Sequence, residues 1–336
     1  MLQVLLFAHG ILALGGIELP YVPSMPSVPK VVSVPKVVSN ISVSGTAEKI
    51  ASALKHGQGI KIRNNLKVPP LELVERYTWF TAASYCFDDE LENWGCYSCT
   101  PIGYKIRFVK GITSDLAGTR AYVALDDTNK RIVLAFRATE NNKNLAQTHY
   151  LLQVPFLEMG DPSIMVAHGP LLAAQSLFPS IAKIISAMIK DPSLASYKLA
   201  IVGHSSGSTA ASLTAAFLRT QLRIKGSRME VYAYGMPRTG NFRYADWYNQ
   251  QEMAVARVVN ANDKFPHIID TPGNYFVHHQ NELWVRGKNR DGRYNITVCD
   301  RTVYEDPKCS NSIPEKSLSG DPHTVMFDVD YFDDLC

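Results

Sequence analysis

Leu199-Ala200-Ile201-Val202-Gly203-His204-Ser205-Ser206-Gly207-Ser208, with the alanine- and leucine-rich segment that follows to Leu222, sets the reading of this chain. The apolar run has the composition of a buried strand, and the segment after Gly207 reads as a helix. A sharp turn must lie between them. Glycines two before and two after Ser205 permit a backbone turn that a side chain would obstruct. The serine is left at the apex with its hydroxyl above the sheet, and the N–H of Ser206 sits at the helix start. Short glycine-serine patterns also arise by chance, and a serine at such a turn can simply cap a helix. The rest of the chain therefore has to carry the argument.

Further strands and helices alternate on either side of this turn. Glu72 to Tyr85 and Ile181 to Ile189 have helical apolar spacing. Ala121 to Leu125 and Arg131 to Phe136 read as two strands about the polar turn Asp126-Asp127-Thr128-Asn129-Lys130. Met229 to Tyr234, Ala254 to Asn260 and Glu282 to Arg286 read as strands as well. This alternation predicts an α/β fold with a mainly parallel central sheet and helices on both faces, in a single catalytic domain over 67–336.

Composition excludes several classes. Of 336 residues, 46% are apolar and 19% charged, and the formal net charge is +3. That is enough to build a sizeable core, and the balance is too neutral for a nucleic-acid partner. No apolar run reaches the ~18 residues of a membrane span. Residues 1–16 have a short apolar stretch ending in small residues, which predicts a secretory signal peptide. Over 17–66, Val28-Pro29-Lys30-Val31-Val32-Ser33 recurs as Val34-Pro35-Lys36-Val37-Val38-Ser39. Prolines this dense oppose packed structure, so a propeptide or linker is expected there.

The six cysteines agree with export. Cys96 and Cys99 suit a small local disulfide, and Cys299 and Cys309 are near neighbours. Cys86 and Cys336 remain for a third bridge. Asn40 and Asn295 head glycosylation sequons, which matter only for an exported chain.

A serine hydroxyl needs a base within hydrogen-bond reach, and the base needs a carboxylate to fix its tautomer. On this fold the chain order is serine, acid, histidine. Asp263 lies at the end of the strand Ala254 to Asn260 and is the leading acid, with Asp246 and Asp270 as competitors. His267 is too near Asp263 in sequence to span a site. Spacing leaves the base open between the His278-His279 pair and His323. Oxyanion donors are expected at Ser206 and at Thr139, which follows the strand ending at Phe136.

Six pieces in order carry a family resemblance: Phe136-Arg137-Ala138-Thr139, Ala167-His168-Gly169, the Gly203–Gly207 turn, Gly235-Met236-Pro237-Arg238-Thr239-Gly240-Asn241, Asn262-Asp263-Lys264-Phe265-Pro266-His267 and Cys309-Ser310-Asn311-Ser312-Ile313. From Leu71 to Cys336 the chain resembles the secreted class 3 lipases of filamentous fungi, in particular those of the Rhizomucor and Rhizopus type. The resemblance implies an α/β-hydrolase-like fold, a Ser205-Asp263-His323 triad, and a propeptide. It selects His323 over His278 by its distance beyond Cys309-Ser310-Asn311-Ser312-Ile313, and it implies the same three disulfides. It also places a lid over Glu140 to Tyr150.

This chain departs from the family in that region and around the serine. Asn144-Leu145 stands where the family has asparagine and tryptophan. Asn141, Asn142, Lys143, Gln147 and Thr148 make the segment polar, and losing an indole removes a large apolar contact with lipid. Ala138, Ser206, Ser208 and Pro322 also replace the residues usual in the family.

The expectation is a secreted carboxylic-ester hydrolase of lipase type, working through an acyl-enzyme. It would act on lipid or small esters, with possible transient contact with a lipid interface and no metal or cofactor. A soluble esterase, such as a feruloyl esterase or a mono- or diacylglycerol lipase, is the alternative that the polar lid favours. An inactive hydrolase-fold protein that binds lipid or wall material is a third reading.

Overall fold

Strands such as Lys198–His204 bury every residue after the first, which an alternating, half-solvated strand does not do. The sheet they form is covered on both faces. A computed structural model of the chain describes residues 66–86, 88–115, 118–138, 152–268 and 276–332. The expectations for 1–16, for most of 17–66 and for Asn40 lie outside those residues.

Eight strands make the main sheet: β1 Ile106–Ser114, β2 Thr119–Asp126, β3 Arg131–Phe136, β4 Lys198–His204, β5 Met229–Tyr234, β6 Ala254–Asn260, β7 Glu282–Lys288 and β8 Tyr294–Val298. They lie side by side in chain order. The five from β3 to β7 run parallel, while β1, β2 and β8 add antiparallel edges. The hairpin read from Ala121 to Phe136 pairs Ala121 with Phe136 and Asp126 with Arg131. The edge strands β1 and β8 are half-solvated. Their weak apolar patterns are why the sequence did not announce them.

Side chains of the central strands divide between two cores. Leu134, Ile201, Val231 and Val255 face the helices α2 His168–Lys190 and α3 Ser206–Thr220. Ala135, Val202, Tyr232 and Val258 face the helix α1 Leu71–Ala83. A period of two along each strand puts successive residues on opposite faces, so both sets must be apolar. A shorter helix, α4 Phe242–Asn249, adds Tyr244 and Tyr248 to the first core.

Helix α2 begins at His168, well before the Ile181 start expected from apolar spacing, and it accommodates Pro179 in its interior. By length and composition alone it could cross a membrane. Its Leu171, Leu177, Phe178, Ile181 and Ile185 are instead buried against the sheet, which makes it a core helix.

Two disulfides join Cys96 to Cys99 and Cys299 to Cys309, with Cα atoms 5.0 and 5.7 Å apart. Both separations fall in the usual range for a bridge. Cys86 is buried, and its expected partner Cys336 lies outside the described residues. Asn295 is exposed on the edge strand β8, where a glycan could be carried.

Candidate active site

Ser205 lies between β4 and α3 with φ +51° and ψ −128°. A non-glycine residue at positive φ is strained by ~1–3 kcal/mol, and such strain persists only where surrounding contacts enforce it. Here the enforcement is visible. The Ser205 N–H donates to the Tyr234 carbonyl at 2.9 Å, tying the turn to the end of β5. A Cβ on Gly203 would lie 2.5 Å from the Gly207 carbonyl oxygen, and one on Gly207 would lie 2.7 Å from that of Phe136. Both glycines are therefore required by the close approach of backbone to backbone. Although Ser205 occupies the N-cap position of α3, its hydroxyl makes no capping hydrogen bond. That sets aside the reading of an ordinary helix-capping serine and leaves the hydroxyl available for chemistry.

Asp263 follows β6 and is fully buried. Its Oδ2 lies 2.8 Å from Nδ1 of His323, and its Oδ1 accepts the Phe265 N–H at 2.9 Å. The His323 segment is held from the same side. Lys264 donates to the Ser319 carbonyl and Ser319 to that of Asn262, both at 2.9 Å. The Asn260 side chain donates to the carbonyls of Pro322 and Val325 at 3.0 and 2.8 Å. Residues 60 apart in sequence are thus fixed to one another by backbone as well as by side chain.

Burial shapes the protonation of both groups. It pulls His323 down to about 3, with the Lys264 charge acting in the same direction. The ring is therefore neutral near pH 7, the form that can accept a proton. Burial pushes the Asp263 carboxyl up to about 7, while the Phe265 N–H, His267 and Lys264 oppose it. Among the described residues, Nε2 of His323 is buried without a hydrogen-bond partner.

The competing residues go elsewhere. His278 Nε2 lies 2.8 Å from the Pro266 carbonyl, and His279 lies 3.2 Å from Ser212 Oγ while stacking on Tyr248. Asp246, on α4, accepts from Gln250 at 2.9 Å. His267 lies 3.0 Å from Asn311. Asp270 is outside the described residues, as are Thr139, Asn141, Asn144, Leu145 and Tyr150. Ser206 opens α3, at the end of the helix where N–H groups give partial positive charge. The end of β3 and Arg137 pass against Gly207.

The family model described as Lipase (class 3) matches residues 133–272, a span that includes both Ser205 and Asp263. Over that span the chain is similar to the class 3 lipases. A lipase of Rhizomucor miehei is 24% identical over 303 residues, covering 88% of this chain and 78% of that protein. The secreted mono- and diacylglycerol lipase 1 of Fusarium solani is 29% identical over 212 residues, covering 61% of this chain and 60% of that protein. The chain thus spans less than two thirds of the Fusarium relative. A solved triacylglycerol lipase with a serine protease triad as its catalytic centre matches at TM-score 0.69 and 25% identity, covering 78% of this chain and 95% of that one.

Three residues at the site were not singled out from sequence. His204 Nε2 lies 2.8 Å from the His323 carbonyl oxygen, with the Tyr85 hydroxyl 2.9 Å from its Nδ1. Asn260 secures the His323 loop as described above. Gly235, with φ +56°, passes so close to the acid-base pair that a Cβ there would lie 2.8 Å from His323 Nδ1 and 3.0 Å from Asp263 Oδ2. The position of Gly235 at a strand end was the one available signal for it.

Proposed function

We propose that this chain hydrolyses acylglycerol esters through an acyl-enzyme formed on Ser205. The observation that carries the reading is the buried 2.8 Å Asp263–His323 contact on the same sheet edge as a strained serine turn. In this mechanism the Ser205 Oγ attacks the ester carbonyl carbon and His323 Nε2 takes its proton. The carbonyl electron pair moves to oxygen, where the backbone N–H groups of Ser206 and Thr139 receive it. Collapse expels the alcohol, protonated by His323. A water molecule, deprotonated by the same ring, then releases the fatty acid. Asp263 holds Nδ1–H and stabilises the imidazolium. Ser205→Ala tests this directly: hydrolysis of p-nitrophenyl butyrate should vanish while the circular dichroism spectrum is kept. Undiminished hydrolysis would overturn the assignment.

The polar composition of Glu140 to Tyr150 favours dissolved or partial glycerides over bulk triglyceride. Similarity to a relative named as a mono- and diacylglycerol lipase supports the same narrowing. Rates on tributyrin across its solubility limit address it. A smooth saturation curve is expected, and a rate jump at the limit would reverse the preference. Export is the matching reading for location. It is supported by residues 1–16, by the two disulfides and by a relative named as secreted.

A further inference from the structure

In the proposed mechanism His323 is neutral at rest and positively charged only once it has taken the Ser205 proton. Any group that attracts the imidazolium more than the imidazole therefore acts on the transition state and leaves the ground state alone. Phe265 meets that description by geometry. Its ring stacks on the His323 ring with centroids 3.8 Å apart and planes 23° apart. Its own N–H holds Asp263 Oδ1 at 2.9 Å. One residue thus touches both members of the acid-base pair, through its ring in one case and its backbone in the other.

The other groups around His323 do not duplicate this contact. Asp263 engages Nδ1 in the ring plane. The His204 ring lies 4.5 Å away and is itself kept neutral by burial, with the His323 charge opposing its protonation. Gly235 offers no side chain. The Lys264 ammonium lies 5.4 Å from the Phe265 ring centroid, and its charge opposes the imidazolium. His267 acts on the pair through Asp263. An aliphatic side chain at position 265 would fill the same space without a negative π face.

We propose that Phe265 is a positioning residue that fixes the orientation of the His323 ring and attracts the imidazolium through its π face as the Ser205 proton arrives. The proposal rests on the reading of His323 as the general base. In the step concerned, the Ser205 O–H bond breaks and the Oγ–carbon bond forms. The proton goes to His323 Nε2, and the carbonyl π pair goes to the substrate oxygen. Phe265 exchanges no atom.

Replacing Phe265 in the full chain by 4-fluoro-, 3,5-difluoro- and 3,4,5-trifluorophenylalanine keeps the ring shape nearly constant while draining its π face. On p-nitrophenyl butyrate, log kcat should fall stepwise, reaching about tenfold at the trifluoro ring, with KM unchanged. The acid limb of kcat should move to lower pH, because the imidazolium is less favoured. Phe265→Tyr should stay within about twofold of the parent, and Phe265→Leu should match the trifluoro ring or fall below it. Equal kcat across the fluorinated series, or an unmoved acid limb, would overturn the proposal. Ser205→Ala measured alongside separates the two levels: activity surviving there breaks the general-base reading itself. Labelling of each Phe265 variant by a fluorophosphonate shows that its site has folded.

Discussion

His204 Nε2 stands 2.8 Å from the main-chain oxygen of His323, although 119 residues separate them. The residue before the proposed nucleophile thus grips the backbone of the proposed base. With the Tyr85 hydroxyl at Nδ1, the geometry suits a ring that donates from Nε2 to the carbonyl and accepts at Nδ1. His204 also stacks on Tyr331, with centroids 4.2 Å apart. His204→Ala should lower kcat on a soluble ester by about tenfold, because an orienting contact lets the base drift. It should also cost about 1–3 kcal/mol of stability by leaving the Tyr85 and His323 polar atoms without this partner. Urea unfolding alongside kinetics checks both. A variant with parent kcat would show that the contact positions nothing.

Gly235 sits where a methyl group would enter the acid-base pair. Gly235→Ala combines positive φ with a contact of 2.8 Å to His323 Nδ1. Loss of nearly all activity is expected, with about 1–3 kcal/mol lost in stability. A thermal melt of a soluble variant separates the two effects, since activity should fall at temperatures where the variant remains folded.

The loop carrying Phe265 and His267 is anchored by a buried ion pair. Glu305 accepts from Arg238 Nε and Nη2 at 3.0 and 2.8 Å, from the His278 N–H at 2.7 Å and from Asn311 at 2.9 Å. Arg238 Nη1 in turn donates to the His267 carbonyl at 2.9 Å. Burial alone would raise the Glu305 carboxyl; Arg238 and the cations around it prevail and hold it well below the usual carboxylate range. Glu305→Ala deprives a buried guanidinium of its carboxylate, so a loss of about 3–5 kcal/mol is expected in urea unfolding. A loss below about 1 kcal/mol would mean that water replaces the carboxylate.

Stability should fall as the solution is acidified from about pH 6.5 toward pH 3. Burial lowers His204 and His278 well below their ordinary value, and it lowers His279 and His323 to about 3. The unfolded chain takes up these protons near 6.5, whereas the folded chain resists well below that, to about 3 for His279 and His323. Stability from these groups is therefore complete above 6.5 and is lost across that window, at ~1.4 kcal/mol per unit of separation. Asp263, raised to about 7, acts in the opposite sense: the folded state takes up its proton first, so acidification through 7 favours folding. Four histidines outweigh one carboxyl. The melting temperature should therefore be lower at pH 4.5 than at pH 7.5, and a flat profile would count against the burial of these rings.

The central strands could be read from the chain because both faces of the sheet are covered, which makes each strand apolar throughout. Met229–Tyr234 and Ala254–Asn260 were placed at their observed limits. Edge strands β1 and β8, half in solvent, carry no such pattern. The start of α2 was hidden because His168-Gly169-Pro170 resembles a turn more than a helix; only packing against the sheet makes it helical.

The residues of Gly203 to Gly207 alone determined that the chain turns sharply and leaves a serine at the apex. Glycine is the residue that lets backbone approach backbone there, and that requirement is local. Which carboxylate and which imidazole stand together, 60 residues apart, was open by spacing, because Asp246, Asp270, His278 and His279 satisfied the same order. Tertiary structure decided it. β5 and β6 end side by side, Ser319 and Asn260 hold the last loop to the strand before Asp263, and Gly235 leaves just enough room for the two side chains to meet. Such a juxtaposition is a property of how strands pair, and strand pairing is not written in any one segment.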